Sequence, residues 1–180
     1  MKTLILIFCI CAFLDYESSR NNQDTNTIEW SKERKLTWSD FQGVPKPDGF
    51  KLAATQGKIT AEHGYWDDDL PVFEIKAYFL KDDSWTITDS ALTLEHEQIH
   101  FDILELHTRL IRKSFDSLNY IGETDFQVYQ EVFKNVLDKS DALNDTYDDD
   151  VRLDRTRQEY WKEFIWTKLQ QTEEYYINPD

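Results

Sequence analysis

The stretch LTLEHEQIHFDILELHTRLIRKS, residues 92–114, contains the sequence H-E-x-x-H from His96 to His100. It has no Gly or Pro and consists mostly of good helix formers, so it predicts one long helix that begins near residues 88–90. Successive helical residues rotate by about 100°, so His96 and His100 project from one face and can bind one metal ion. With Glu97 beside them as a general base, this pattern is typical of a catalytic zinc site.

The two histidines belong to an apolar stripe of this helix. On a helical wheel a sector of about 80° holds Leu92, His96, His100, Ile103, His107 and Leu110. The stripe predicts that both histidines face the protein interior, where a buried imidazole needs a partner such as a metal. His107 lies seven residues, or about 10.5 Å, beyond His100, so it cannot join the same ion. We expect it to be a hydrogen-bonded group at the edge of the core.

Length and composition indicate one domain with an acidic surface. The chain has 180 residues, 40% of them hydrophobic, which is enough for one sizeable core. Its formal net charge of −15 would repel nucleic-acid phosphates and anionic membrane surfaces. We therefore expect no nucleic-acid partner and no stable membrane insertion.

The beginning of the chain resembles an export signal. Lys2 precedes an apolar run, Leu4 to Leu14, which is too short to span a bilayer. These features predict a signal peptide at 1–19, a polar spacer at 20–34 and a single domain at 35–180. The expected location is therefore the periplasm or the outside of the cell.

The rest of the chain predicts an α+β domain in which a small antiparallel sheet is followed by three helices, zincin-like, with the H-E-x-x-H motif on the first long helix. Residues 71–80 alternate apolar and polar side chains as a half-buried strand does. The expected strands are 36–41, 51–66 and 71–80, and the second and third helices are expected near 125–141 and 154–176, after a turn at Gly122.

A catalytic zinc site normally takes three protein ligands and leaves a position for water, so a third ligand is required. A compact three-histidine site would need Gly at 103 and His at 106, and the chain has Ile103 and Leu106 instead. The ligand must then come from elsewhere in the fold. The candidates are His63 and the later carboxylates Glu123, Glu131, Asp148, Asp149, Asp150 and Asp154.

Several segments together resemble one known family. They are LTWSDFQGVP at 36–45, AAT at 53–55, SW at 84–85 and HEQIHFDI at 96–103, followed by Glu105, Leu106 and Arg109. Over residues 35–165 the chain resembles the domain-of-unknown-function 922 family, which consists of predicted secreted bacterial zinc-dependent proteases. A downstream Tyr-Asp of that family is matched by Tyr147-Asp148. The family's His-Gly pair is missing, and Leu153 stands where its histidine would fall.

The resemblance implies an exported zinc-dependent metallopeptidase, with His96, His100 and Asp148 binding Zn²⁺ and Glu97 as the general base toward water. Its partner would be a peptide or protein substrate. The alternatives are a zinc-binding envelope protein or a hydrolase of non-peptide amides or esters, in which the third-ligand site is incomplete or altered. An acidic interaction protein without a metal is a further alternative.

Other groups have expected supporting roles. Asp102 or Glu105 could orient a ligand imidazole, although the helical wheel places both away from the histidine face. Tyr147 could donate a hydrogen bond to the oxyanion, since it neighbours the candidate ligand in sequence.

Overall fold

A computed structural model describes residues 26–46, 51–67 and 70–179. The signal peptide expected at 1–19 and the first part of the expected spacer, 20–25, lie outside these residues. Within the described part of the chain, five strands precede three long helices, and a short 3₁₀ turn, Glu173–Tyr175, follows the last helix. The predicted α+β class, with a small antiparallel sheet and three helices, is confirmed.

The strands form two small antiparallel sheets. One is a three-stranded sheet in the order β1 (Thr27–Glu29), β4 (Leu70–Leu80) and β3 (Gly57–Asp67), and the other pairs β2 (Ala53–Ala54) with β5 (Trp85–Thr86). The alternation predicted for 71–80 is confirmed at three successive inward positions of β4. Their side chains are at most 1% exposed, at Ile75, Ala77 and Phe79.

The strand predicted at 36–41 is wrong, because this segment contains the 3₁₀ turn Trp38–Asp40. The Asp40 carboxylate accepts hydrogen bonds from the backbone N–H and the hydroxyl of Thr37, at 2.8 and 3.0 Å. It also binds the Arg34 guanidinium at 2.7 Å. These local side-chain bonds compete with a strand for the backbone, which explains the turn.

The folded part begins earlier than the polar composition of 20–34 predicts. Residues Thr27–Glu29 form β1, whose three residues pair with the end of β4. Trp30 follows with only 4% of its surface exposed, and its indole N–H donates to Asp102 Oδ1 at 2.7 Å. The expected spacer is therefore wrong at 27–30, because a short strand with one buried residue, Ile28, and a buried tryptophan lie within the polar segment.

The helices are α1 (Ala91–Tyr120), α2 (Phe126–Leu153) and α3 (Arg157–Gln171). The predicted start of α1 is confirmed, because the hydroxyl of its N-cap Ser90 accepts from the Thr93 backbone N–H. Gly122, with a φ of 73°, makes the turn into α2.

The second helix extends twelve residues beyond the predicted end near 141. Its acidic second half faces solvent, but one row of residues at helical spacing stays in contact with the core. Ser140, Tyr147 and Val151 are all at most 7% exposed. The acidic run 148–150, which we expected between two helices, is consequently the last part of α2.

The first helix is the central element of the domain. Residues 105–109 are all buried, because the sheet, α2 and α3 surround this helix. The apolar stripe of this helix is not buried along its whole length. Leu92, near the start of the helix, is 48% exposed, although its place on the stripe predicts burial. None of the helices in the described residues is long and apolar enough to cross a membrane.

Candidate metal centre

The histidine face of α1 meets one face of α2. The two helices run antiparallel, so the start of α1 lies beside the end of α2. The Nε2 atoms of His96 and His100 are 3.2 Å apart, and Asp148 Oδ1 lies 3.2 Å from the first and 2.9 Å from the second. The structure thus brings together the two motif histidines and the carboxylate implied by the resemblance.

These three distances suit one small cation. Four-coordinate zinc binds imidazole nitrogen and carboxylate oxygen at about 2.0–2.2 Å, which places neighbouring donor atoms about 3.3 Å apart. The observed separations are 2.9–3.2 Å. The donor set of two imidazoles and one carboxylate is also that of known catalytic zinc sites. The residues present therefore fit a zinc ion without a change of fold.

Asn144 determines which nitrogen of His100 faces the cluster. The Asn144 amide nitrogen donates to the Ser140 carbonyl at 2.9 Å, so its oxygen must be the atom that lies 2.7 Å from His100 Nδ1. That oxygen can only accept, which requires a hydrogen on Nδ1. Neutral His100 then presents a bare Nε2 lone pair to Asp148.

Two acceptors at 2.9 Å repel each other unless a proton or a metal ion lies between them. Burial alone would lower the pKa of His100, but the Asp148 hydrogen bond and the charges of Glu97 and Asp148 outweigh it, and the pKa is raised. Burial of Asp148 is likewise outweighed by its bonds to His100 and His96, which hold its pKa well below the usual range. The cluster therefore attracts positive charge at its centre.

Glu97 places a second carboxylate next to the cluster. It is 3% exposed, and its Oε2 atom has no hydrogen-bond partner among the described residues. The Thr55 hydroxyl donates to the Glu97 carbonyl at 3.3 Å and ties this turn of α1 to the end of β2. An unpartnered buried carboxylate oxygen is costly, and a water molecule or a substrate N–H would satisfy it.

Tyr147 packs against the His96 ring rather than facing a substrate. Its ring stacks on the His96 imidazole with centroids 4.6 Å apart, and its hydroxyl points to the His96 carbonyl at 3.5 Å. The side chain is fully buried. Burial, with the charges of Glu97 and Asp148, raises the pKa of Tyr147 far above its usual value. Its expected role at the oxyanion is not supported by this geometry.

The two carboxylates expected to orient an imidazole lie on other sides of α1. Asp102 accepts from the Trp30 indole and from the Gln98 amide, at 2.7 and 2.9 Å. Glu105 binds Arg109 at 2.7 Å. The prediction for both is wrong, because their positions on the helix point them to the sheet and to α3. Asn144 holds the imidazole instead.

The other candidate ligands are engaged elsewhere. Asp149 pairs with Arg152, Asp150 with Arg157 and the Trp161 indole, and Asp154 binds Thr156, while Glu123 and Glu131 accept from Asp125 and Gln127. The side chain of His63 lies outside the described part of the structure. The predicted role of His107 is confirmed, since its Nδ1 bonds the Ile103 carbonyl at 2.8 Å.

Asn144 is the site residue that sequence reasoning missed. The signal that could have found it is its position four residues before Asp148, which puts both on one helical face. That signal needs α2 to continue past 141, and the predicted helix ended too early to use it.

Comparison of the chain with protein-family models, with curated proteins and with solved structures finds no match. The resemblance in the motif segments stays a prediction, and the functional argument rests on the residues and geometry described above.

Proposed function

We propose that this chain is an exported, zinc-dependent metallopeptidase with a zincin-like catalytic helix. The observation that carries the proposal is the convergence of three donor atoms from His96, His100 and Asp148 beside the buried Glu97 carboxylate. Three protein ligands with a neighbouring carboxylate are what metal-assisted hydrolysis requires.

Each residue then has a chemical role. His96 and His100 hold the ion through Nε2, and Asp148 supplies the third ligand and partly neutralises the ion's charge. A zinc ion in this position supplies Lewis acidity, which polarises a peptide carbonyl and acidifies water. Glu97 accepts the proton of the attacking water and returns it to the leaving amine.

Two features of the surroundings support the same proposal. The motif helix packs on an antiparallel sheet, and the hydroxyl of Thr55, the residue after β2, bonds to it. The apolar run at 4–14 supports export, and the motif segments support a secreted protease of the resembled family.

The test is metal analysis of the purified protein together with cleavage of a denatured protein such as casein. We expect about one zinc per chain in the wild type and loss of that zinc in His96→Ala. Glu97→Gln should keep the zinc and lose cleavage by a factor of about 10² or more. Asp148→Asn should lower zinc affinity strongly, while its matched neighbour Asp149→Asn should not.

A wild-type protein that binds no zinc at micromolar concentration would refute the proposal. Stoichiometric zinc without cleavage of casein or of a broad peptide library would favour a zinc-binding envelope protein or a hydrolase of non-peptide amides or esters. Cleavage that survives Glu97→Gln unchanged would exclude the proposed general base.

A further inference from the structure

We propose that a cavity between the three helices binds the C-terminal residue of a peptide, with its carboxylate at Lys168 and its apolar side chain against leucines of α1 and α2. The cavity has a volume of about 390 Å³, which lies within the range of about 300–1,000 Å³ for small-molecule sites. It shares no residue with the cluster of His96, His100 and Asp148. The inference is therefore independent of the proposed function.

Residues of all three helices line the cavity. Near the connection between α2 and α3 these two helices are in contact, because the ring centroids of Tyr147 and Trp161 lie 5.5 Å apart. Further from that connection, the cavity is lined by an apolar set, Leu106, Leu110, Leu143 and Phe164. Leu106 is buried and the other three are half-buried. This wall can gain hydrophobic free energy by covering one aliphatic group of a ligand.

The ammonium of Lys168 lies at the cavity. It is 3.4 Å from Gln171 Oε1 and 5.6 Å from the centroid of the Phe164 ring, and all three residues line the cavity. The Gln171 oxygen accepts from Lys168, so the amide keeps both of its N–H donors for a ligand. Lys113 also lines the cavity, and none of the lining residues in the described part of the chain is acidic. In a chain with 35 acidic residues, this place favours a carboxylate.

His107 adds a polar atom to the cavity wall. The residue is 4% exposed, and its Nδ1 donates to the Ile103 carbonyl at 2.8 Å. Burial lowers the pKa of His107 below its usual value, so the ring is neutral near pH 7 and Nε2 is an acceptor. Nε2 has no hydrogen-bond partner among the described residues. A buried acceptor without a partner costs free energy, and an N–H group of a ligand would satisfy it.

The C-terminal residue of a peptide carries all three groups that these side chains can bind. Its carboxylate suits the Lys168 ammonium and the Gln171 amide, its aliphatic side chain suits the leucines, and its backbone N–H suits Nε2 of His107. A fatty acid offers a carboxylate and an aliphatic chain but has no N–H group for the histidine. The chemistry of the lining residues therefore favours an apolar C-terminal residue over a fatty acid.

The experiment titrates N-acetyl-leucine into the purified protein and follows the imidazole NMR signals of His107. We expect saturable binding with a Kd on the order of 1 mM, as a ligand of this size allows. Three matched probes each lack one group: N-acetyl-leucinamide lacks the charge, N-acetylserine the apolar side chain, and 4-methylpentanoate, a short fatty acid, the N–H. Each should bind about tenfold more weakly. The peptide Ala-Ala-Ala-Leu, added to Glu97→Gln to prevent cleavage, should bind at least as tightly as N-acetyl-leucine.

Two variants test the site from the side of the protein. Lys168→Met removes the ammonium and keeps the aliphatic stem, so affinity for N-acetyl-leucine should fall by about tenfold. Leu143→Trp fills the cavity and should abolish binding without changing its charge. The matched control is Lys162→Met on the same helix, because Lys162 pairs with Glu95 outside the cavity and should leave affinity unchanged. Thermal unfolding of each variant shows whether the fold is intact.

No saturable binding of N-acetyl-leucine, equal binding of its amide, or binding unchanged in folded Lys168→Met or Leu143→Trp would each overturn the inference. So would 4-methylpentanoate that binds as tightly as N-acetyl-leucine, because the occupant would then be a fatty acid. A tetrapeptide that does not bind would exclude a peptide C-terminus. None of these outcomes concerns zinc, and a protein that binds no zinc can still bind N-acetyl-leucine, so the two proposals fail separately.

Discussion

Helix α1 carries two polar clusters that differ in how their charges are balanced. At its start, the Nε2 atoms of His96 and His100 and the Asp148 carboxylate converge, with the Glu97 carboxylate nearby. About two and a half turns beyond His96, Glu105 is bound by Arg109 at 2.7 Å and by Arg112 at 3.4 Å.

The carboxylate of the second cluster is paired with cations of the chain itself. Arg109 also donates to the Leu169 carbonyl at 2.9 Å, and its guanidinium lies over the rings of Trp30 and Tyr176. Burial raises the pKa of Glu105, while the two arginines lower it. The two arginines supply the positive charge that Glu105 requires, and Arg109 connects α1 to α3, although its buried Nη2 has no hydrogen-bond partner among the described residues.

The comparison shows how a binding site differs from a structural ion pair on the same helix. Both clusters are buried or half-buried, and both contain a carboxylate. One has two arginines bound to its carboxylate, at 2.7 and 3.4 Å. In the other, the exposed Lys51 ammonium is 4.0 Å from Asp148 Oδ2, and Oδ1 lies against two ring nitrogens, where a proton or a metal ion fits. A carboxylate that lies against two imidazoles and has only a distant, exposed lysine to neutralise it marks the candidate centre.

The largest expected effect is a loss of stability on substitution in the cluster of Glu105, Arg109 and Arg112. Arg109→Leu removes a fully buried cation and leaves Glu105 with Arg112 alone, so we expect the free energy of unfolding to fall by about 3–5 kcal/mol. Chemical denaturation measures it. The exposed pair offers a control, because Arg152→Ala should cost less than about 1 kcal/mol. The folded fraction of Arg109→Leu should still bind one zinc per chain. Loss of zinc in that fraction would contradict the assignment of a structural role to one cluster and of metal binding to the other.

A smaller effect, confined to metal binding by the cluster of His96, His100 and Asp148, is expected for a substitution of Asn144. Asn144→Leu leaves the Nδ1 hydrogen of His100 without its acceptor and frees the ring to change tautomer, so zinc affinity should fall by about 10- to 100-fold. Competition with a fluorescent chelator measures this. Asn144→Asp keeps an acceptor at that position and should retain most of the affinity. If Asn144→Leu binds zinc as tightly as the wild type, Asn144 does not position the ligand.

The smallest effect is a difference in pH dependence between the metal-free and zinc-loaded protein. The pKa of His100 is raised above 6.5 in the folded protein, so its stabilising bond to Asp148 is fully present below pH 6.5. That stabilisation is lost as the pH rises through the raised pKa. We expect the metal-free protein to lose stability over this window in thermal unfolding, and His100→Gln to remove the dependence.

Protons and zinc compete for the same Nε2 atom, so zinc affinity should weaken as the pH falls through the pKa of His100. Proton release on zinc binding, measured by calorimetry in buffers of different ionisation enthalpy, checks the sign. Binding without proton release in this window would mean that His100 is already neutral and preorganised.

Local patterns predicted the parts of the molecule that depend on neighbours in the chain. The alternation of β4, the helix from residue 91 and its cap at Ser90 all follow from spacing and propensity. The spacing of His96 and His100 places them on one face in any unbroken helix. These features needed no knowledge of tertiary contacts.

The predictions from sequence were wrong where a polar segment is stabilised by contacts with residues far away in the chain. The end of α2 appears as an acidic loop, yet Tyr147 and Val151 hold it in the core. The strand at 27–29 is too short and too polar to detect, and it exists because β4 offers it an edge.

By itself, the sequence determined the helix, its pair of imidazoles and the neighbouring Glu97, because the helical repeat is a local property of the backbone. Only the tertiary structure decided that Asp148, 48 residues further along, completes the cluster and that Asn144 orients one of its rings. The physical reason is that donor atoms converge across the α1–α2 contact. The antiparallel packing of two helices determines which of many acidic side chains lies opposite the histidines.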